Sequence, residues 1–323
     1  MKKLLLSLLT LALINNFTTE ETFAKDKKKI YYIPIVDVGS YWHPMQKAAI
    51  EEAEKLGYEI IIRTSAPNET QKNEKHLGFI QEAIDEEADG IAVAAIDPDM
   101  FDRKVKEAFR EDIPIVTFDG DIKTKENRLA YIGTNNYQAG IELGKKGAEI
   151  LKSKNITSGK IALVAVNLTQ TTMVDRMKGI QEGFNEIMGI NSNNFIWLEG
   201  IQDNDLAAES KRQLEGQIVA NPDMVAVFSL GSEGPDTGVM EAIRTQGVAN
   251  KIHHFGFDYT PTWETGIEDK LIIGIVDQDS ATIGKTVIQV LDKKIKGNDV
   301  ENNYPIPVKW IPAEQLVEYG KTK

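Results

Sequence analysis

Eight polar residues stand just beyond short apolar runs: Asp37, Asp97, Asp119, Asn167, Ser229, Glu233, Asp258 and Gln278. Two aromatics, Tyr41 and Trp42, follow closely on the first of them. Carboxylates and amides exchange hydrogen bonds with hydroxyl groups, and flat rings cover the C–H faces of a sugar. The same residue types also cap helix N-termini at such turns. For each residue alone, capping and ligand contact are both open; the aromatic pair beside the carboxylates inclines the set toward a polyhydroxyl ligand. His43, next to Trp42, is either a donor to a hydroxyl or a solvent-facing loop histidine.

Catalytic chemistry finds less support. Asp119 and Asp258 could be imagined as the paired acids of a glycosidase, but nothing in the sequence sets their separation. The four histidines, His43, His76, His253 and His254, make no metal-ligand spacing, and no phosphate-cradling glycine loop or nucleophile elbow occurs. Cysteine is absent, which excludes disulfides, a thiol nucleophile, a thiolate metal site and a lipidated cysteine. No catalytic residue, metal or cofactor is therefore expected.

These residues need a scaffold that places strand ends side by side. Short β-branched runs alternate with amphipathic stretches along the chain, the pattern of parallel sheets covered by helices. About ten strands are expected, at 30–36, 59–63, 90–95, 113–118, 129–132, 160–166, 195–199, 224–229, 253–258 and 272–277. Between them the helical spacing predicts helices over 44–56, 71–87, 100–110, 137–151, 174–188, 206–219, 236–245 and 282–296. In such sheets ligands bind beyond the carboxyl ends of the strands, where the polar residues lie. The α/β series restarts after Gly133-Thr134-Asn135-Asn136, so two similar lobes are expected, and the apolar positions of 304–317 predict a docked tail.

The chain has 323 residues, enough for two cores. Residues 1–24 carry Lys2 and Lys3, the apolar run Leu4 to Ile14 and a terminal Thr22-Phe23-Ala24, which reads as a secretory signal peptide; an uncleaved anchor is the alternative. A net charge of −12 disfavours nucleic acid and anionic membranes as partners and is otherwise a solubility feature.

The chain resembles the type I periplasmic sugar-binding proteins over its whole mature length. The carriers are Ala53-Glu54-Lys55-Leu56-Gly57, Ile113-Pro114-Ile115-Val116-Thr117-Phe118-Asp119, Tyr131-Ile132-Gly133-Thr134-Asn135-Asn136, Asp175-Arg176-Met177-Lys178-Gly179, Asn221-Pro222-Asp223 and Phe255-Gly256-Phe257-Asp258, in that order. The resemblance implies two doubly wound parallel-sheet lobes joined by a three-stranded hinge, divided as 25–133 plus 278–306 and 134–277 plus 307–323. It implies stacking by Tyr41 and Trp42, hydroxyl binding by Asp119 and Asp258, and Gln278 beside a hinge crossing; Asp97, Asn167 and Glu233, taken from the strand ends, and Gly231 are further ligand-binding candidates. Gly120, Gly231 and Val174 depart from the ribose-binding branch, which has arginine, asparagine and arginine there, so the resemblance does not imply ribose as the ligand. Arg176 either replaces a lost guanidinium from one turn along its helix or forms a structural salt bridge with Asp175 or a neighbour. The implied function is extracytoplasmic capture of a monosaccharide or sugar-like molecule by a protein that is monomeric when free. Its partner is the membrane permease of an ABC importer or, alternatively, a membrane sensor kinase.

Overall fold

The computed structural model describes residues 27–66, 69–231 and 233–322; the expected signal peptide lies outside them. The first half runs β1 (Lys29–Ile33), α1 (Gly39–Leu56), β2 (Glu59–Ile62), α2 (Lys72–Asp85), β3 (Gly90–Val93), α3 (Pro98–Arg110), β4 (Ile115–Phe118) and β5 (Ala130–Gly133). Next come α4 (Asn136–Ser153), β6 (Gly159–Ala165), α5 (Thr171–Met188), β7 (Phe195–Trp197), β8 (Ile201–Gln202), α6 (Ala207–Ala220), β9 (Met224–Ser229), α7 (Gly234–Gln246) and β10 (His253–Phe257). The chain closes with α8 (Glu264–Ile267), β11 (Gly274–Asp277), α9 (Ser280–Ile295), β12 (Asn303–Pro305), β13 (Lys309–Pro312) and α10 (Leu316–Gly320).

Two sheets form, in the orders β12-β5-β4-β3-β1-β2 and β13-β11-β10-β9-β6-β7, with β8 also on β6. All pairings between these strands are parallel except β13 on β11. The inner orders β2-β1-β3-β4-β5 and β7-β6-β9-β10-β11 are the same doubly wound pattern twice, so β4 and β10 hold equivalent places. Both faces of each sheet are buried, as helix-covered parallel sheets require. In β1, Ile30 and Tyr32 face α1 and α9 residues such as Met45, Ala49 and Val287, whereas Tyr31 and Ile33 face Ile80 of α2 and Phe101 of α3. In the second sheet α4 and α5 cover one face through Leu143, Ile180 and Phe184, and α6 and α7 the other through Leu214, Val239 and Ile243.

The chain passes between the sheets at three places. After β5 it enters α4, which lies on the second sheet; after β11 it enters α9, which lies on the first; and between β12 and β13 it passes once more.

Several expected boundaries are corrected. Helix α1 begins at Gly39 rather than at residue 44, so Tyr41, Trp42 and His43 belong to its first turns and not to a loop. Pro44 lies inside the helix, where its missing N–H leaves a single carbonyl unbonded. The 30–36 strand stops at Ile33, α3 starts at Pro98, α5 starts at Thr171, and residues 195–202 form two short strands instead of one. The tail docks, but as two further strands, which brings the described strands to thirteen, one of them antiparallel.

Candidate ligand-binding site

Asp119 follows β4 and Asp258 follows β10, so the two carboxylates leave equivalent strands of the two sheets. The local backbone repeats as well. Both residues sit at φ 59°, a left-handed conformation sparsely used outside glycine. Asp119 N–H donates to Ile132 O of β5 at 3.1 Å, and Asp258 N–H donates to Val276 O of β11 at 2.8 Å. Each carboxylate is thus turned out of its strand at the carboxyl end by the same device.

Around them the two lobes converge. Tyr41 in the first turn of α1 donates its hydroxyl to Asp119 Oδ1 at 2.5 Å, and Tyr131 donates to the Asp119 carbonyl at 2.9 Å. Where the chain passes from β11 of the second lobe back to the first, Gln278 donates Nε2–H to Asp258 Oδ2 of the second lobe at 2.7 Å. Arg176 of α5 lays its guanidinium 3.8 Å from the centre of the Phe257 ring and donates to Asn136 Oδ1 at 2.8 Å and to Leu230 O at 2.6 Å. Among the described residues its hydrogen bonds and ring contact are with Asn136, Leu230 and Phe257 rather than with Asp175.

The electrostatics tie the sides together. Burial pushes the Asp119 carboxyl above the ordinary range, while the Tyr41 hydroxyl and the Arg176 charge pull it back. Tyr41 is held well above its usual value by burial and by the charges of Asp119 and Asp258, one from each lobe. Arg176 has five N–H donors, of which two bonds are committed to protein acceptors. A buried, ring-stacked cation between carboxylates and an amide is costly unless polar groups meet it. Hydroxyls, which both donate and accept, suit such a set.

The other candidates lie differently. Asp97 caps α3, its Oδ1 accepting from Asp99 N–H and Met100 N–H at 2.9 Å. Asn167 Oδ1 accepts from Thr169 N–H at 2.8 Å and Gln170 N–H at 3.2 Å, ordering the turn into α5. Trp42 packs edge-on against Tyr41, with ring centres 5.3 Å apart, and leans on the first-lobe core. Gly231 is buried beside Leu230, and a methyl there would come within 2.8 Å of Val166. Glu233 reaches Ser40 across the cleft mouth. Asp37 and His43 are exposed. At Gly120 a Cβ would stand 2.2 Å from the Ala95 carbonyl, so this backbone admits no side chain there, let alone an arginine.

Ser229 belongs to the core. Its Oγ lies 2.5 Å from Asp236 Oδ1 and 2.8 Å from His254 Nε2, and all three residues are at most 1 % exposed. His254 Nδ1 faces the Leu271 carbonyl, which only accepts, so that nitrogen bears the ring proton and Nε2 accepts from Ser229. Asp236 then completes the set as a neutral acid, in keeping with burial holding its carboxyl well above the usual range.

Asn136, Phe257 and Tyr131 escaped the sequence reading. Asn136 sits inside the quoted Gly133-Thr134-Asn135-Asn136 turn, so the strand-end rule could have found it. Phe257 and Tyr131 lie within strands, where one residue in two faces away, and the sequence does not say which.

A family model described as a periplasmic binding protein domain matches residues 30–299. The ribose import binding protein RbsB of Salmonella typhimurium is 26 % identical over 268 residues, covering 83 % of this chain and 84 % of that protein. The D-allose-binding periplasmic protein of Escherichia coli is 24 % identical over 288 residues, covering 86 % of each. Among solved structures, GanP, a glucose-galactose binding protein from Geobacillus stearothermophilus, superposes with a TM-score of 0.80 at 22 % identity over 90 % of this chain and 99 % of its own. With two doubly wound lobes and a family match over most of its length, the chain belongs to the periplasmic binding protein domain family.

Proposed function

We propose that the protein captures a monosaccharide or a sugar-like polyol between its lobes and acts by binding alone. The observation that carries this is the cluster of Arg176 on Phe257 with Asp119, Asp258 and Gln278: a cation, two carboxylates and an amide from both lobes, gathered beside the strand ends with Tyr41. The relatives named above are binding proteins for ribose and for D-allose, which supports the same ligand class. The first lobe comprises 25–133 and 278–306 and the second 134–277 and 307–323, with the hinge at the three passages. The protein works outside the cytoplasmic membrane as a monomer and hands its ligand to the permease of an ABC importer. That one relative is an import protein supports delivery over presentation to a sensor kinase.

Thermal unfolding with a panel of pentoses, hexoses and polyols tests this reading. A cognate ligand at about 100 times its Kd adds roughly 2.7 kcal/mol of stability. If no sugar or polyol moves the transition at millimolar concentration, the ligand class is wrong.

A further inference from the structure

Helix α1 carries Tyr41 and Trp42 in its first turns but has no cap of its own. Its N-cap residue is Val38, whose extended backbone offers no side-chain acceptor. The first-turn N–H of Ser40 is met instead by Glu233 Oε1 at 3.3 Å, and the Ser40 hydroxyl lies 3.5 Å from the same oxygen. Glu233 stands on the other lobe, directly ahead of α7, at φ 64°. Its side chain caps nothing in its own helix: the first N–H of α7, at Gly234, is taken by Asp205 Oδ1 at 3.2 Å. Gly39 permits the approach, because a methyl there would come 3.0 Å from Glu233 Oε1, and its φ of 86° suits glycine.

Two helix N-termini from opposite lobes therefore meet at the cleft mouth. Their partial positive ends would repel each other. Two carboxylates, Glu233 and Asp205, answer them, one for each helix. Lys72, which opens α2 in the first lobe, is near enough for its charge to act on Asp205 of the second.

We propose that Glu233 is a positioning residue of the clamp: it supplies from the opposite lobe the N-terminal cap that α1 lacks, so the turn bearing Tyr41 is completed only when the lobes meet. This rests on the reading of the cleft as a closing clamp. Closure and the ordering of Tyr41 against Asp119 are then one event, and the closed form has a stabilising contact that does not involve ligand.

The absence of cysteine allows a clean test. Dyes at Lys47→Cys on α1 and Glu241→Cys on α7, both exposed and outside the cleft, report closure by single-molecule energy transfer. In the ligand-free chain, Glu233→Ala should lower the closed-to-open ratio about fivefold, as loss of a helix cap does, and speed hydrogen exchange at the Ser40 amide similarly. Glu233→Gln, which keeps a carbonyl acceptor, should recover part of both. Gly39→Ala should reproduce the loss and add little to Glu233→Ala, since the two act on one contact. An unchanged ratio in Glu233→Ala, or a ligand-free chain with no closed fraction, overturns the proposal. The same panel of pentoses, hexoses and polyols, D-ribose and D-allose among them, is then added as probes: if none moves the population while the Glu233→Ala difference persists, the sugar reading falls and the cross-lobe cap stands.

Discussion

Asp119 and Asp258 are turned outward by matching left-handed residues at matching strand ends, so each lobe presents one carboxylate to the proposed ligand. Asparagine at either position keeps the shape but removes the charge-assisted bond. Asp119→Asn and Asp258→Asn should each weaken binding of the cognate sugar by about 1.5–3 kcal/mol in calorimetric titration, with the unfolding midpoint little changed. Equal affinity in both variants would remove the pair from the site. His76 tests a different part of the residue chemistry. It is fully buried in α2, and among the described residues neither ring nitrogen has a hydrogen-bond partner. Burial, with help from Lys72 and Lys75, lowers it to about 4 from an unfolded value near 6.5. Between those values the unfolded chain binds a proton that the native chain refuses, so His76 costs stability as pH falls from about 6.5 toward 4, by about 1.4 kcal/mol per pH unit. His76→Phe should raise stability at pH 7 by about 1 kcal/mol. Its advantage over the wild type in urea unfolding should widen on acidification; a constant difference between pH 7 and 4.5 would contradict this account.

At the scale of elements, Arg176 is set by the contact of α4 with α5. Four glycines bring the two backbones together: a Cβ on Gly140 would meet Arg176 O at 2.3 Å, on Gly144 Ile180 O at 2.1 Å, on Gly179 Tyr137 O at 2.1 Å and on Gly183 Ile141 O at 2.2 Å. Each helix thus offers a small-residue stripe at four-residue spacing to the other. Gly140→Ala and Gly183→Ala should each cost about 1–3 kcal/mol of stability through overpacking. Only Gly140→Ala presses on the turn that carries Arg176, so it should also weaken sugar binding about tenfold or more while Gly183→Ala does not, as titration of both variants will read.

The strand ends were legible because the apolar stretches 113–118, 255–257 and 272–276 stop abruptly before Asp119, Asp258 and Asp277-Gln278, and a parallel sheet can use such runs only edge to edge. The start of α1 was not, because Pro44 reads as a helix opening, whereas the helix tolerates it one turn further in. Capping by Asp97 and Asn167 could not be told from ligand contact, since both uses ask for the same oxygen at the same turn. The strands β12 and β13 were illegible for another reason. Three or four residues such as Asn303-Tyr304-Pro305 carry little period-2 signal, and their partners, β5 and β11, lie far away in the chain.

For the whole molecule, the three passages are the places where motion is cheapest. One is braced from the tail: Tyr319 of α10 donates to Asp277 Oδ2 at 2.6 Å, and Asp277 Oδ1 accepts Tyr259 N–H at 3.0 Å. Hinge motion is absorbed by a few residues at such ends while each lobe keeps its packing. Small-angle scattering should therefore show a compaction when the cognate sugar is added, with an unchanged circular dichroism spectrum. An identical profile at saturating sugar would exclude closure as the signal to the permease.

The same threading decides when each lobe can be finished. In the first sheet β5 is flanked on its outer side by β12, and the face opposite α2 and α3 is covered in part by α9. Until residues 280–305 arrive, β5 is an open edge, and Tyr32 and Phe118 lack the Ile283 and Val287 that share their cluster. The second sheet likewise presents β11 as an edge until β13 adds to it, antiparallel, at Lys309–Pro312. A chain released N-terminus first, whether from synthesis or from passage through a membrane pore, carries two sheets with unpaired hydrogen-bonding edges for most of that time, the condition that invites strand addition by other chains. The lobe that is begun first cannot be completed until the last few dozen residues are free.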